Sequence, residues 1–179
     1  MRLAIDAGNS SIKYGLFDQN RLLKTGRIDQ GESIKSILSK QIYESISTVI
    51  SCSVLNDLNL KDIPNGKEIL IDKNANFPFP IHYESTETLG IDRVVSCASL
   101  QSSYSDILVI DAGSCITYDF VKKGKGYLGG AISPGIEMRF RSMNNLTDKL
   151  PLISKFENNP NVIGNTTKSC MRSGIIHGI

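Results

Sequence analysis

The apolar positions near the N-terminus follow the alternation expected of β-strands. Residues 3–5 form a short apolar run, and residues 12–17 and 22–28 predict two further strands that are separated by a polar turn. Residues 32–43 then place apolar side chains at helical spacing, and the apolar run at residues 45–51 indicates a buried strand. The pattern therefore predicts the order β-β-β-α-β.

The middle of the chain changes character at a proline-rich segment. Residues 68–71 predict another strand, whereas residues 77–80 alternate Phe and Pro and can form neither a regular helix nor a central strand. Residues 92–104 return to helical spacing. We expect a boundary near this helix, between an N-terminal domain at residues 1–100 and a C-terminal domain at residues 101–179.

A short internal repeat links the two halves of the chain. Ala-Ile-Asp-Ala-Gly-Asn-Ser at residues 4–10 returns as Val-Ile-Asp-Ala-Gly-Ser-Cys at residues 109–115. Such a short near-match can arise by chance, but residues 116–121 and 126–132 repeat the two following strands in the same order. The repeat predicts a duplicated fold.

The second half of the chain is shorter than the first. One helix is expected from near Pro134 toward Asn144 and another at residues 168–177, and the chain ends soon afterwards. Because the first half continues from its helix into a strand, we expect the second domain to be incomplete. Either the chain is truncated or the missing elements come from elsewhere, and both alternatives stay open.

The composition is that of an ordinary soluble globular protein, with 40% hydrophobic and 21% charged residues. The net charge of +2 is scattered along the chain, which favours small-molecule partners over nucleic acid or a membrane surface. No stretch approaches the roughly 20 apolar residues of a membrane helix. The composition therefore predicts a cytoplasmic protein.

The four cysteines, at 52, 97, 115 and 170, lie far apart and form no C-x-x-C pair. This spacing argues against a zinc site and against a thioredoxin-like redox pair, so we expect reduced thiols. Cys115 lies inside the repeated motif, where a reactive thiol is conceivable but a small residue that fills a tight turn is favoured.

The repeated motif carries the candidate chemistry. Asp6 is followed by a glycine-rich turn whose backbone amides can approach a phosphate, although Gly8 and Asn9 also suit an ordinary β-turn. Lys13 can reach a phosphate or can be a solvated surface lysine. Asp6 and Asp111, facing one nucleotide across a cleft, would hold the cations that neutralise a triphosphate. This arrangement indicates a phosphotransferase.

Four motifs in order give the chain a specific resemblance. The motifs are Asp6-Ala-Gly-Asn-Ser-Ser-Ile-Lys13, Gly90-Ile-Asp-Arg93, Asp111-Ala-Gly-Ser-Cys-Ile-Thr117 and Leu128-Gly-Gly-Ala-Ile-Ser-Pro-Gly135. With them the chain resembles the superfamily of sugar kinases, heat-shock chaperones and actin, whose two ribonuclease-H-like halves clamp ATP, and within it the type III pantothenate kinases. A fifth stretch, at residues 164–175, matches the family's segment before a helix at the substrate pocket and dimer interface.

The resemblance implies a set of roles. It implies that Asp92 is the catalytic base of a pantothenate kinase and that Asp111 binds a monovalent cation, K⁺ or NH₄⁺, beside Mg²⁺ that accompanies ATP. The implied ATP ligands are Asp6, Ala7, Gly8, Asn9, Ser10, Ser11, Ile12, Lys13 and Ser114. The implied pantothenate ligands are Tyr83, Gly90, Ile91, Asp92, Arg93 and Thr167.

Two details of the resemblance concern the nucleotide contacts and the quaternary structure. Ser114 and Cys115 replace the commoner Thr-Ala pair, which keeps the hydroxyl but adds a thiol beside the nucleotide. A homodimer is also implied, and Met171, Ile175 and Ile176 predict an apolar helical stripe suited to an interface.

The tetrapeptide at residues 90–93 also has structural interpretations. Asp92 at a helix start can cap the helix. Arg93 can fork onto the carboxylate of pantothenate, or it can form a structural ion pair with Asp92 or with a neighbouring glutamate.

Two other classes of function stay open. One is an accessory or regulatory protein of the same fold with weak catalysis, and the other is a structural or partner-binding module. The intact Asp6, Asp92 and Asp111 argue for catalysis. The short C-terminus argues against it, because no Gly-Gly turn that would hold the adenosine follows Gly130.

Overall fold

The computed structural model describes residues 1–8, 12–28, 34–53, 67–100, 105–154 and 159–179. The chain divides into two compact units. The first contains Met1–Val109 and Asp119–Gly129, and the second contains Ile110–Tyr118 and Gly130–Ile179. Among the described residues, no helix has the length and apolar character needed to cross a membrane.

A five-stranded mixed sheet forms the beginning of the first unit. Its strands follow the order β3-β2-β1-β4-β5, in which β1, β2 and β3 are antiparallel neighbours and β1, β4 and β5 are parallel neighbours. The strands are β1 (Arg2–Ala7), β2 (Ile12–Asp18), β3 (Arg21–Ile28), β4 (Thr48–Ser53) and β5 (Lys67–Ile71). All five strands expected in this part of the chain are present.

The prediction of one continuous helix at residues 32–43 is wrong, because the helix is interrupted. The described part consists of two short helices, α1 (Ile34–Ile37) and α2 (Lys40–Glu44). Ser39 interrupts the helix because its backbone is extended, with φ −60° and ψ 150°, and its side chain accepts a hydrogen bond from the Ile42 amide. Ser45 closes α2, so β4 begins at Thr48 and not at residue 45 as predicted.

The apolar spacing nevertheless identified the residues that pack together. Buried side chains from β1, β2, β4 and both short helices form one core cluster, which includes Leu3, Leu16, Leu38 and Val49. Ile37 and Ile42 pack against it. The helical period therefore predicted the buried face correctly, although it did not reveal the break at Ser39.

The remainder of the first unit surrounds a second core cluster. After the loop at residues 77–80 and a short 3-10 turn (Thr86–Thr88), helix α3 runs over Ile91–Ser99 and packs beside β4. Residues 101–104, where the predicted helix would end, lie outside the described residues. The buried members of the second cluster are Phe79, Val94, Cys97, Ile107, Val121 and Tyr127.

A three-stranded sheet with the order β6-β7-β8 follows. The strands are β6 (Ile107–Ala112), β7 (Cys115–Lys122) and β8 (Gly126–Pro134), as the second copy of the repeat predicted. The mixed α/β class with two sheets is thus confirmed. The duplicated ribonuclease-H-like arrangement and the domain boundary near residue 100 stay predictions.

Two further helices belong to the second unit. Helix α4 spans Ile136–Asn145 and α5 spans Thr167–Ile176, close to the predicted ranges. Phe140 and Ile153 are buried with Met171 and Ile175 in a third core cluster. Two members of the stripe expected at a dimer interface are therefore part of this unit's own core.

Gly126 is a position where the fold requires glycine. Its φ is +112°, and a Cβ built there would lie 2.2 Å from the Pro80 carbonyl oxygen. Gly124 also has a positive φ, +73°, but a Cβ built on Gly124 would have no neighbouring atom within 4 Å. We expect Gly126→Ala to lower the free energy of unfolding by roughly 3 kcal/mol and the matched Gly124→Ala by about 1 kcal/mol. Urea unfolding of both variants measures the difference, and equal losses would contradict the close approach to Pro80.

Candidate active site

Three neighbouring strands bring polar side chains together at the end of β1. Asp6 is the register partner of Lys13 on β2 and of Cys52 on β4. The Lys13 Nζ lies 3.9 Å from Asp6 Oδ2, and both side chains are about half exposed. An ion pair so exposed contributes little to stability, so either partner can exchange the other for a ligand at small cost.

The Cys52 thiol marks the place where two of the predicted motifs meet. Burial raises its pKa to about 12, and the charges of Asp92 and then Asp6 act in the same direction. Both carboxylates must lie near the thiol to have this effect, since the interaction weakens with distance. The structure therefore brings Asp6 of the first motif and Asp92 of the second into one electrostatic environment.

Asp92 lies in the first turn of α3 but does not cap it. Gly90 is the N-cap, and within the described part of the chain no side chain makes the capping hydrogen bond, so the capping interpretation of Asp92 is wrong. A Cβ built on Gly90 would lie 2.6 Å from Asp92 Oδ1. Gly90 thus leaves the space that the carboxylate occupies, beside the positive end of the helix dipole.

Arg93 has an ion-pair partner that the sequence did not indicate. Its Nε donates to Asp119 Oδ1 at 2.9 Å, and its Nη2 lies 2.7 Å from the same oxygen in an ion pair. The Tyr127 hydroxyl also donates to this oxygen, at 2.7 Å. The side chains of Arg93 and Asp119 are 7% and 1% exposed. The prediction of a structural ion pair with Asp92 or with a neighbouring glutamate is therefore wrong about the partner, because the ion pair is formed with Asp119.

The surroundings of this ion pair shift the pKa values of Arg93 and Tyr127. Burial alone would lower the pKa of Arg93, but the hydrogen bond and the charge of Asp119 outweigh it and raise that pKa. Burial, followed by the hydrogen bond to Asp119, raises the pKa of the Tyr127 phenol. Arg93 is thus held as a cation and Tyr127 as a neutral hydrogen-bond donor.

Tyr83 lies beside this group. Its ring centroid is 6.3 Å from that of Tyr127, with an interplanar angle of 43°, and Tyr83 adds a small contribution that raises the pKa of the nearby Arg93 guanidinium. Gly129, with φ +91°, lies under the Tyr83 ring, since a Cβ there would be 3.3 Å from two ring carbons. The structure therefore gathers Tyr83 and Arg93, two predicted pantothenate ligands.

Backbone hydrogen bonds fix the segment that carries Tyr83. The Tyr127 amide donates to the Pro80 carbonyl oxygen at 2.9 Å, and the His82 amide donates to the Tyr127 carbonyl oxygen at 2.9 Å. Ile81 and Tyr127 form a parallel bridge. The loop after the proline-rich segment is thus attached to the first residues of β8.

The third and fourth motifs meet in the second unit. Asp111 is exposed near the end of β6, and the turn after it ends at Ser114, whose carbonyl oxygen accepts a hydrogen bond from the Gly135 amide at 3.0 Å. A Cβ on Gly135 would lie 2.3 Å from the Gly113 carbonyl oxygen and 2.6 Å from that of Ser114. Gly135 thereby permits the contact between this turn and the start of α4.

Thr167 is the first residue of α5 and is exposed. Thr166 caps the helix through a capping box with Ser169, so the backbone position of Thr167 is well defined. Thr167 also borders an open depression of about 650 Å³, whose lining includes Met143, Leu150 and Cys170.

Some predicted ligands are not tested by this geometry. Asn9, Ser10 and Ser11 lie outside the described residues, while Ala7 and Ile12 face each other as register partners at the ends of β1 and β2. Asp6 and Asp111 belong to different units. The expectation that both serve one nucleotide stays a prediction.

Sequence reasoning missed Cys52, Asp119 and Tyr127. Asp119 carried a signal, because it shares a strand face with Val121, and a carboxylate on the buried face of a strand requires a partner. Cys52 was detectable only from the register of β1 and β4. Tyr127 had no comparable signal, since an aromatic residue at the start of a strand is ordinary.

The environments of the four cysteines predict their order of alkylation. Cys52 and Cys97 are buried, and burial together with a neighbouring carboxylate raises the pKa of the Cys97 thiol to about 11. Cys170 is exposed and Cys115 is half-buried. At pH 8 we expect iodoacetamide to modify Cys170 first, Cys115 more slowly, and Cys52 and Cys97 only after unfolding. Peptide mass spectrometry measures the order, and rapid labelling of Cys52 in the folded protein would contradict it.

The residues of the chain fit a metal that is held partly by its substrate. Within the ranges that the structure describes, no three His, Cys, Asp or Glu side chains cluster as a metal cage. Mg²⁺ in kinases is usually bound by one or two carboxylates together with substrate phosphates, and the half-exposed Asp6 is the predicted carboxylate for this role.

Comparison with known proteins agrees with the motifs. A family model described as type III pantothenate kinase matches residues 2–179. The type III pantothenate kinases of Christiangramia forsetii and Flavobacterium psychrophilum are 39% and 37% identical to the chain, and each match covers 100% of the chain and 76% of the relative. The chain belongs to the type III pantothenate kinase family.

A solved structure also shares the fold. It is that of a protein from Campylobacter jejuni described as a conserved Baf family transcriptional activator, with a TM-score of 0.61 and 24% sequence identity. The match covers 98% of this chain and 74% of that protein. At this identity the likeness concerns the fold alone.

Proposed function

We propose that this protein transfers the γ-phosphoryl group of ATP to the primary hydroxyl of pantothenate and forms 4'-phosphopantothenate, the first step of coenzyme A synthesis. The observation that carries the proposal is the position of Asp6 opposite Lys13 and Cys52 on the neighbouring strands, with Asp92 on the helix that packs beside β4. Membership of the family supports it. A carboxylate at the acceptor and a cation-binding carboxylate at the phosphates are what phosphoryl transfer to an alcohol requires.

Asp92 is the proposed general base. The pantothenate hydroxyl oxygen forms a bond to the γ-phosphorus, the bond from that phosphorus to the β–γ bridging oxygen breaks, and ADP leaves. The hydroxyl proton passes to the Asp92 carboxylate. Asp92 lies in the first turn of α3, and Gly90 leaves room for its carboxylate.

The proposed nucleotide site begins at the first motif. Residues 6–13 line the phosphates of ATP, Asp6 and Lys13 contribute their charges, and Ser114 adds a hydroxyl. Asp111 holds a monovalent cation, and Mg²⁺ arrives with the nucleotide. Bound cations neutralise the charge that develops on the phosphates.

The proposed acceptor site is built around Tyr83 and Arg93. Arg93 faces the pantothenate carboxylate, and Gly90, Ile91 and Thr167 complete the contacts. We also infer that the chain has two ribonuclease-H-like domains with ATP between them, because the strand order β3-β2-β1-β4-β5 and the repeated motif agree with such a duplication.

A coupled assay that measures pantothenate-dependent release of ADP tests the proposed function. We expect ADP formation that requires both ATP and pantothenate and that yields a phosphorylated product by mass spectrometry. ATP binding without product would instead indicate the accessory or regulatory protein, and neither binding nor turnover would indicate a structural module.

The cation requirement is a separate prediction. The negative charge of a triphosphate beside the Asp111 carboxylate must be neutralised by cations. We therefore expect activity to need Mg²⁺ and to rise several-fold when K⁺ or NH₄⁺ replaces Na⁺. Asp111→Asn should remove the preference for K⁺. Initial rates at constant ionic strength measure it, and equal rates in sodium-only and potassium buffers would refute the role of Asp111.

A homodimer is the proposed quaternary structure. It rests on the family resemblance, because Met171 and Ile175 are buried within the second unit. Sedimentation as a monomer at micromolar concentration would refute it.

A further inference from the structure

The buried ion pair between Arg93 and Asp119 is not explained by stability. Two charges in a dry interior lose their hydration, and apolar residues of similar volume usually stabilise a protein as well or better. The pair lies against the second core cluster, beside Val94 and Tyr127, where apolar side chains would fit. The presence of the pair therefore points to a requirement for a fixed orientation of the Arg93 guanidinium.

The hydrogen bonds determine the orientation of the guanidinium group. Nε donates to Asp119 Oδ1 and Nη2 forms an ion pair with the same oxygen, so the edge of the planar fork that contains these two nitrogens faces Asp119. The Tyr127 hydroxyl donates to that oxygen as well and holds it in place. The second edge of the fork, which contains Nη1, faces away from the carboxylate, and planar recognition of an anion uses such an edge.

The position of the group connects it to the acceptor site. Arg93 follows Asp92 directly in the first turn of α3, and Tyr83 lies near both the Tyr127 ring and Arg93. A rotation of the Arg93 side chain would therefore change the surroundings of Tyr83. The same rotation would also turn the second edge of the guanidinium to a new direction.

We propose that Asp119 and Tyr127 are positioning residues that fix the plane of the Arg93 guanidinium, so that its second edge meets the carboxylate of the acceptor substrate. This inference rests on the proposed pantothenate kinase activity. Neither positioning residue needs to touch the substrate. They determine how well the enzyme recognises a substrate that carries a carboxylate.

Steady-state kinetics of Asp119→Asn and Tyr127→Phe test the inference. Tyr127→Phe keeps the ring in the core and removes only the hydroxyl, so it stays informative if Asp119→Asn unfolds. We expect the KM for pantothenate to rise roughly tenfold or more in Asp119→Asn and several-fold in Tyr127→Phe, while the KM for ATP changes less than about twofold. Asp106→Asn, which alters a carboxylate that accepts a hydrogen bond from the Lys123 amide, is the control and should leave both KM values unchanged.

A pantothenate analogue whose carboxylate is replaced by a neutral amide separates positioning from general damage. Its inhibition constant should be the same in the wild type and in Tyr127→Phe, because Arg93 has no anion to orient on it. Equal rises in the KM for ATP and for pantothenate, or unchanged KM values in folded variants, would overturn the inference. A wild-type protein without pantothenate-dependent turnover would refute the proposed function instead.

Discussion

Asp92→Asn is expected to lower kcat by roughly 100-fold or more while the fold is retained, which is the scale of losing a general base. The amide keeps the size of the carboxylate and its place beside Gly90, but it cannot accept the hydroxyl proton. The loss of a charge near the start of α3 costs at most about 1 kcal/mol through the helix dipole, so the fold should persist.

Single-turnover kinetics and denaturation together check this expectation. Glu87→Gln removes an exposed carboxylate from the 3-10 turn just before the same motif, and its kcat should stay within about twofold of the wild type. Circular dichroism should show the same unfolding midpoint for Asp92→Asn within a few degrees. Turnover near the wild-type value in Asp92→Asn would assign the base elsewhere.

Asp119→Leu is expected to produce the largest loss of stability, about 3–5 kcal/mol, because it leaves the Arg93 cation buried without its counter-charge. The Tyr127 hydroxyl loses its acceptor in the same variant. The double variant Arg93→Met with Asp119→Leu removes both charges, and most of the lost stability should return.

Urea unfolding of the wild type, both single variants and the double variant closes a thermodynamic cycle. The coupling between the two positions should be large and favourable. If Asp119→Leu lowers the free energy of unfolding by less than about 1 kcal/mol, or if the double variant is no more stable than Asp119→Leu, then Arg93 and Asp119 do not form a buried, mutually dependent ion pair.

The sequence predicted the strands well because their period of two is local information. Alternating or continuous apolar runs placed the strands of both sheets near their observed ranges. The break at Ser39 was missed because the spacing of Ile34, Leu38 and Ile42 stays helical across it, while the cap that interrupts the helix depends on one side-chain hydrogen bond.

In the candidate site, too, the residues in local motifs were predictable from the sequence and a long-range contact was not. Asp6, Lys13, Asp92 and Arg93 could be predicted from motifs, because each lies in a short segment with a recognisable pattern. The partner of Arg93 could not be, since Asp119 is 26 residues away and the contact exists only when α3 lies against the second sheet. Long-range pairs of this kind depend on packing, which a local pattern does not encode.

The shared oxygen of Asp119 also has an evolutionary consequence. Arg93 and Tyr127 both bond to one oxygen of Asp119, so a substitution of Asp119 leaves a buried cation and a buried hydroxyl without their acceptor, and a substitution of Arg93 leaves the Asp119 charge without its counter-charge. Replacement of either charged residue alone should therefore be selected against, and lineages that lose one of the two should replace the other soon after. Across the family, positions 93 and 119 are expected to be inherited together or lost together, whereas Phe can replace Tyr127 at smaller cost.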